Sequence, residues 1–266
     1  MDTTQNKWTV PFAIVVAGAL IAGAIYFSNK STSQTQQQPQ TGTPQKVTIT
    51  LEPVSATEHI LGNPAAAITV VEFSDTECPF CKQFHTTMHQ VVDEYGKDGS
   101  LAWVYRHFPI PELHPKAAKE SEALECAAEL GGNEKFWAYT DRIYEITPSN
   151  NQLDAAQLPI IAKEVGLDVT AFNNCLSSGK YAATVEADKQ EAVKAGGRGT
   201  PFSVIILKKK LTDDAEGVIG QLAAQLRAQT GTDAILISQD KTKVAISGAF
   251  PYSFLKGIFD LILGRP

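Results

Sequence analysis

Two cysteines three positions apart are the residues of this sequence best suited to chemistry. Cys78 and Cys81 enclose Pro79 and Phe80, directly after a β-branched run and at the start of a helical pattern. A helix N-terminus presents unpaired backbone N–H groups and the positive end of the helix dipole, and both stabilise a thiolate. A thiolate that attacks a disulfide needs a second thiol nearby, which the i, i+3 spacing supplies. The pattern therefore predicts thiol–disulfide exchange.

Two other interpretations of this cysteine pair are a static disulfide and half of a zinc site. Zinc would need two more soft ligands, and a second Cys-x-x-Cys motif is absent from the sequence. His85 and His89 follow at i, i+4 spacing, but they flank an apolar stripe and are expected to be ordinary helix-surface residues. We predict neither a metal nor a cofactor, since the Cys78–Cys81 disulfide would itself be the redox group.

Two acidic residues precede the motif. Glu72 lies inside an otherwise apolar strand pattern, where burial is costly and would raise its pKa. We predict that it is catalytic and carries protons to and from Cys81. The alternatives are that Glu72 faces a solvated edge or a basic partner. Glu77 adjoins Cys78 and is expected to be exposed in a turn, where its charge would modestly oppose the thiolate.

Thr200 and Pro201 precede another apolar strand pattern, after Gly199. A proline at a strand start can follow a cis peptide bond, and the spacing alone leaves cis and trans open. A cis turn facing the two cysteines would expose the Thr200 backbone for pairing with an extended substrate peptide. Thr200 and Pro201 are therefore the predicted substrate-binding residues.

Hydrophobic periodicity predicts the elements that must position these residues. A strand, a helix and a second strand in succession form a βαβ unit, which implies a parallel pair with a right-handed crossover. A block of helices follows, and the chain ends with further strands and an amphipathic helix. The predicted strands are 68–74, 101–108, 202–207, 235–238 and 244–247, with helices in 115–195, at 211–230 and after Pro251. The predicted class is a mixed α/β sheet with one large helical insertion.

Composition and length indicate a globular domain with an N-terminal extension. Of the 266 residues, 43% are hydrophobic and the net charge is −6, which excludes a disordered chain and argues against a general nucleic-acid binder. The uncharged run 10–27 would be about 27 Å long as a helix, enough to cross a bilayer core. Residues 1–30 are therefore predicted to be an N-terminal transmembrane signal-anchor; a cleaved secretory signal is the alternative.

The segment after the predicted anchor is rich in Gln, Ser, Thr and Pro. We predict that residues 31–46 form a disordered linker and that residues 47–266 form the catalytic domain. Either interpretation of the N-terminus exports that domain. Its predicted location is the outer (periplasmic or extracellular) face of the cytoplasmic membrane.

Several motifs, taken in order, resemble the DsbA-like thiol:disulfide oxidoreductases of the thioredoxin superfamily. They include Phe73-Ser-Asp-Thr-Glu-Cys-Pro-Phe-Cys-Lys, Tyr105-Arg-His-Phe-Pro, Cys126-Ala-Ala-Glu-Leu and Gly199-Thr-Pro201. The resemblance covers about 58–210 and resumes from 243 to 263. It implies a thioredoxin-like fold with a helical insertion, about 115–195, between the βαβ unit and the cis-proline strand. Residues 208–242 are an extra insert without a counterpart in that family.

The resemblance also implies roles for individual residues. Cys78 would be the exposed nucleophile and Cys81 its buried partner, Glu72 would occupy the family's buried acidic position, and Pro201 would follow a cis bond. This sequence has Pro-Phe between the cysteines where the best-known members have Pro-His. Because a histidine there can stabilise the neighbouring thiolate, its absence predicts a weaker oxidant.

Cys126 and Cys175 are the two remaining cysteines. Leftover cysteines in an exported domain usually pair, and members of the family with cysteines here resemble that arrangement. We therefore predict a structural Cys126–Cys175 disulfide. A regulatory or resolving pair is the alternative.

The resulting function is that of an oxidase. It would donate the Cys78–Cys81 disulfide to reduced or misoxidised exported proteins and be restored by a membrane redox partner. Alternatives are a reductase or isomerase, and a membrane-tethered binding or chaperone module without redox turnover. A monomer is expected, because no dimerisation element is visible in the sequence.

Overall fold

The computed structural model describes residues 46–55 and 57–266. The predicted anchor lies outside this part of the chain, as does the predicted linker except for Lys46. Across the described residues, no helix combines the length and the apolar character needed to cross a membrane.

A seven-stranded sheet forms the centre of the domain, in the spatial order β1-β6-β7-β5-β3-β4-β2. Its strands are β1 (Lys46–Val47), β2 (His59–Gly62), β3 (Ile68–Ser74), β4 (Leu101–His107), β5 (Phe202–Leu207), β6 (Ile235–Ser238) and β7 (Lys243–Ser247). β3 pairs in parallel with β4 and antiparallel with β5. Because it is paired on both sides and covered on both faces, β3 reads as an almost continuous apolar run.

Seven helices surround this sheet in the described residues. They are α1 (Pro79–Tyr95), α2 (Ala117–Ile146), α3 (Gln157–Glu164), α4 (Val169–Ser178), α5 (Ala182–Lys194), α6 (Asp213–Thr230) and α7 (Tyr252–Leu263). Helix α1 connects the parallel strands β3 and β4, which confirms the predicted βαβ unit. Helices α2 to α5 form the predicted insertion between β4 and β5.

The predicted element boundaries hold where the sequence has clear stop and start signals. Gly132 has a φ of 69° and kinks α2 near its middle. Asp168 caps α4, since its side chain accepts a hydrogen bond from the Ala171 N–H. Helix α6 and strand β6 lie at the positions predicted for the extra insert. The short edge strands β1 and β2 were not predicted.

The hydrophobic core lies on both faces of the sheet. On one face, α1, α6, α7 and most of the insertion pack around residues such as Phe84, Trp103 and Phe136. On the other face, Phe73 and Phe202 pack with α5 and with the segment before β2. The carboxyl ends of β3 and β4 lead into the loop before α1 and the loop after β4, so this edge of the sheet positions the two cysteines.

Candidate active site

The Cys78–Cys81 pair lies at the very start of α1. Cys78 is the N-cap residue, with extended φ and ψ of −78° and 121°, and Pro79 takes the first helical position. That position suits proline because its missing N–H would have no helical partner there. The Cys78 N–H donates to the Asp75 carbonyl at 3.1 Å, and the Cys78 carbonyl accepts from the Lys82 N–H at 3.1 Å. These bonds fix the Cys78 backbone at the open N-terminal turn.

The surroundings of Cys78 favour its thiolate. A hydrogen bond from the Cys81 thiol, together with the backbone N–H groups of Phe80 and Cys81, lowers the pKa of Cys78 to about 6. In its protonated form the thiol donates to the Thr200 carbonyl at 3.5 Å. The resemblance implied an exposed nucleophile, but Cys78 is only 5% exposed. Its neighbour Phe80 is the exposed residue, at 61%.

Cys81 has the opposite preference. The residue is fully buried, and burial raises the pKa of its thiol well above the ordinary value, reinforced by the neighbouring Cys78 and Glu72. The Asp75 N–H donates to the Cys81 sulfur at 3.4 Å. Both cysteines are free thiols in this structure. The Cys78 sulfur is therefore readily ionised, whereas the Cys81 sulfur stays protonated.

Glu72 is buried at the centre of β3, between Tyr105 and Ser203 of the flanking strands. This placement excludes the solvated-edge alternative. Its Oε2 accepts a 2.9 Å hydrogen bond from Trp103 Nε1, whereas Oε1 has no partner. Burial raises the pKa of Glu72 to about 7. Its role as a proton carrier for Cys81 stays a prediction.

The Thr200–Pro201 peptide bond is cis. The sequence spacing left the isomer open, whereas the family resemblance implied cis. The Thr200 carbonyl faces the Cys78 sulfur, and the Pro201 carbonyl accepts from the Gly248 N–H at 2.9 Å. The loop before β5 therefore lies directly against the cysteine pair. Substrate binding by these two residues stays a prediction.

Glu77 corrects one expectation from the sequence. It was expected to be exposed, yet it is fully buried. Its carboxylate accepts from the backbone N–H groups of Gln152 at 3.2 Å and Leu153 at 2.9 Å. Glu77 therefore holds the loop after α2 against the active-site turn. The turn position indicated that Glu77 would be exposed to solvent, but the helical insertion covers this residue.

Two further buried acids line this turn and were not predicted. Asp75 accepts from the Ile110 N–H at 2.9 Å and contacts His114 Nδ1 at 3.0 Å. Glu120 accepts from the Thr76 hydroxyl at 2.6 Å, and burial raises its pKa to about 8. The available signal for Asp75 was the polar run Asp75-Thr-Glu77 directly before the start of α1.

His85 corrects a second expectation, because it was expected on the helix surface. Its side chain is only 6% exposed and contacts Asp141 of α2 at 2.8 Å. Its ring also packs against Trp103 and Tyr144, at centroid distances of 5.1 and 4.6 Å. His89, one turn further along α1, is half-exposed.

The other two cysteines are joined to each other. Cys126 of α2 and Cys175 of α4 form a disulfide across 49 positions of sequence. Both residues are buried, Cys126 completely. The bond ties two helices of the insertion together and includes neither sulfur of the Cys78–Cys81 pair.

Comparison with known proteins identifies the family. A family model described as Thioredoxin matches residues 54–219. The chain belongs to the thioredoxin family. This match covers β2 to β5 with all the helices between them and extends into α6. The predicted thioredoxin-like fold with a helical insertion is confirmed.

Solved structures of DsbA proteins have the same fold as this thioredoxin-family domain. The domain superposes on Wolbachia pipientis α-DsbA1 with a TM-score of 0.59 and 21% identity, covering 79% of this chain and 93% of that one. Pseudomonas aeruginosa DsbA2 gives a TM-score of 0.55 and 22% identity, with 79% and 96% covered. The domain therefore has the DsbA fold, helical insertion included.

A curated relative contains a similar segment within a much longer protein. The Na(+)/H(+) antiporter NhaA 3 of Salinispora tropica is 32% identical over 144 residues. That match covers 54% of this chain and 21% of the antiporter. The chain therefore aligns with about a fifth of the antiporter's length.

Proposed function

We propose that this protein is an extracytoplasmic thiol:disulfide oxidoreductase that acts as an oxidase of exported proteins. The observation that carries the proposal is the opposed acidity of the two cysteines. The pKa of Cys78 is lowered to about 6, whereas burial raises that of Cys81 well above its usual range. Such a division suits an attacking or leaving sulfur at Cys78 and a resolving sulfur at Cys81.

The exchange begins with the oxidised Cys78–Cys81 pair. A substrate thiolate attacks Cys78 Sγ and forms a mixed disulfide, and the Cys78–Cys81 bond breaks. Cys81 leaves as a thiolate and takes a proton, which its raised pKa favours. A second substrate thiolate then attacks the substrate sulfur of the mixed disulfide, and Cys78 leaves as a stabilised thiolate. The substrate loses two electrons and the protein gains them.

Glu72 supplies the proton for Cys81 in this proposal. Its pKa of about 7 allows the carboxyl group both to give and to take a proton near neutral pH. Its charge is one of the causes that raise the pKa of Cys81, which supports a coupling between the two groups. In the reverse direction, Glu72 accepts the Cys81 proton as the disulfide re-forms.

One feature favours the oxidase direction, and two others suit a peptide substrate. A low pKa of the outer cysteine stabilises the reduced form and so makes the disulfide more oxidising. The exposed Phe80 beside Cys78 and the Thr200 carbonyl opposite it offer an apolar contact and a backbone acceptor to an unfolded peptide. The Pro-Phe pair between the cysteines makes us expect a weaker oxidant than members with Pro-His.

The location and the partners rest on the N-terminal sequence. The uncharged run 10–27 has the length of a membrane-spanning segment, and we propose that it anchors the domain at the outer face of the cytoplasmic membrane. Reduced or misoxidised exported proteins would be the substrates. A membrane redox protein would re-oxidise the Cys78–Cys81 pair.

The deciding experiment is the redox equilibrium of the Cys78–Cys81 pair against glutathione. An oxidase should show a potential well above about −220 mV, the upper end of the biochemical cytosolic glutathione range. A potential well below about −260 mV would contradict the oxidase proposal and favour a reductase.

A refolding assay tests turnover itself. The protein should restore activity to a reduced, disulfide-requiring substrate, and Cys78→Ser should abolish this. The double variant Cys126→Ala/Cys175→Ala is the control, since it removes the other two sulfurs but should keep the activity. Full activity of Cys78→Ser would instead indicate a binding or chaperone module.

A further inference from the structure

We propose that His85, His89 and Asp141 form a binding site for a divalent transition-metal ion of the zinc type. His85 and His89 lie one turn apart on α1, and Asp141 faces them from α2. In the described part of the chain, this is the one group of three His, Cys, Asp or Glu residues whose ligand atoms all lie within 4.8 Å of one another.

The distances among the three ligand atoms are close to those that a tetrahedral ion requires. Asp141 Oδ1 is 2.8 Å from His85 Nε2 and 2.8 Å from His89 Nε2, and the two nitrogens are 3.2 Å apart. A tetrahedral ion with bonds of about 2.0 Å holds its ligands roughly 3.3 Å from each other. The three atoms therefore already lie near the corners of one face of a coordination tetrahedron.

Hydrogen bonding alone satisfies this cluster poorly. Asp141 Oδ1 only accepts when it is ionised, so each Nε2 at 2.8 Å from it must carry a proton to bond with it. Two N–H donors would then face each other across 3.2 Å. A cation in place of those protons lets all three atoms act as electron-pair donors.

The surroundings hold one ligand rigidly and leave room for another. His85 is buried against Trp103 and Tyr144, and its second ring nitrogen has no partner. The Asp141 side chain is 47% exposed and that of His89 is 36% exposed. Solvent can therefore reach the cluster and supply a fourth ligand, as in zinc sites with three protein ligands.

The ligand types select the class of metal. Two imidazoles and one carboxylate suit Zn²⁺, Cu²⁺ or Ni²⁺, whereas Mg²⁺ and Ca²⁺ prefer sites made only of oxygen ligands. A cation here would lie next to Trp103, whose indole also donates to Glu72. Metal binding would therefore be detectable through the Trp103 side chain.

A second cluster in the same domain provides an internal control. Glu125 Oε1 lies between His59 Nε2 at 2.9 Å and His107 Nε2 at 2.8 Å. This cluster has the same kinds of residue, but it is not a candidate metal-ligand group within the described residues. His59 and His107 are thus ion-pair partners of Glu125, and His59→Ala removes a histidine without touching the proposed site.

Zinc titration of the full-length protein tests the proposal. The Cys78–Cys81 pair is first oxidised so that its sulfurs cannot bind metal, and Zn²⁺ binding is followed by calorimetry and by tryptophan fluorescence. All five histidines of the chain lie in the described domain. We expect one Zn²⁺ per chain, with a change in fluorescence on binding.

The variants assign the ligands. His89→Ala and Asp141→Asn should each weaken Zn²⁺ binding by roughly tenfold or more, because loss of even an outer-shell partner costs about that much. His59→Ala and the exposed Asp93→Asn, which changes a charge one turn from His89, should leave binding unchanged. His89→Ala and Asp141→Asn should both keep the wild-type melting temperature, which separates ligand loss from unfolding.

Two results would overturn the proposal. In the first, the oxidised wild-type protein does not bind Zn²⁺. In the second, the wild type, His89→Ala and Asp141→Asn all bind Zn²⁺ with the same affinity. In either case the cluster is a hydrogen-bonded histidine pair on Asp141 and nothing more.

Discussion

Trp103 donates a hydrogen bond to only one oxygen of Glu72. Its Nε1 lies 2.9 Å from Glu72 Oε2, while the buried Oε1 has no partner. A buried carboxylate with one unpaired oxygen favours its protonated form, and burial raises the pKa of Glu72 to about 7. The ionised acid is therefore held at a cost in folding free energy.

Glu72→Gln should stabilise the reduced protein in a pH-dependent way. The pKa of Glu72 is about 7 when folded and about 4.5 when unfolded, so the folded state binds the extra proton between these values. The contribution of Glu72 to the stability of the wild type is fully present below pH 4.5 and is lost as the pH rises through 7. Urea unfolding should show equal stabilities at acidic pH and a gap of a few kcal/mol in favour of Gln at pH 8. A gap independent of pH would contradict this account.

The same Glu72→Gln variant should exchange disulfides more slowly. Glutamine cannot give a proton to Cys81 or take one from it, so the step that makes or breaks the Cys81 bond loses its acid. Stopped-flow reduction of the oxidised protein should be slowed by about tenfold or more at pH 7. Unchanged kinetics in a variant that is more stable would leave Glu72 without a catalytic role.

Alkylation of the reduced protein should report the acidity of Cys78. Its rate should rise with pH, with a midpoint near the pKa of about 6, and then level off. Cys81 should stay unmodified, because it is buried and its pKa is raised. Mass spectrometry of the modified residue checks the assignment. A midpoint near that of a free thiol would remove the basis for an activated Cys78.

Glu77→Ala should destabilise the fold although Glu77 adjoins a reactive residue. The substitution leaves the backbone N–H groups of Gln152 and Leu153 without their acceptor. The loss of these two hydrogen bonds, one of them buried, should cost about 2 kcal/mol in urea unfolding. Glu134→Ala, at an exposed position of α2, is the matched control and should cost almost nothing. Equal effects would mean that Glu77 does not hold the loop.

Removal of the Cys126–Cys175 disulfide should lower stability and spare activity. The bond closes a loop across 49 positions, for which the chain-entropy estimate is about 4 kcal/mol. Chemical unfolding of Cys126→Ala/Cys175→Ala should move to lower denaturant concentration by a corresponding amount. The glutathione equilibrium of Cys78–Cys81 should not move. A shift in that equilibrium would favour the regulatory alternative for the second pair.

Much of the fold was predictable because the sequence carries local signals for it. The apolar run of β3, the stripe of α1 and the cap at Asp168 each depend on neighbouring residues only. The strands β1 and β2 were missed because they are short edge strands whose pairing partners lie far away in the sequence. Their existence depends on an edge that only the folded sheet supplies.

The cysteine pair and the buried Glu72 were predictable from type and spacing, whereas the rest of the site was not. Glu77 and His85 were both expected at the surface, because a turn position and a helix flank usually face solvent. The helical insertion covers both of them, and its packing against the active-site turn is a long-range contact that local periodicity does not encode.

Because of the Cys126–Cys175 bond, reduction of the active site does not reduce every cysteine of the chain. This bond shares no sulfur with the Cys78–Cys81 pair, so the exchange reaction proposed for that pair leaves it intact. The working cycle of the protein would then alternate between a chain with two disulfides and a chain with one. The form with a reduced active site therefore still contains the Cys126–Cys175 disulfide. That bond stabilises the helical insertion, although the reaction does not change it.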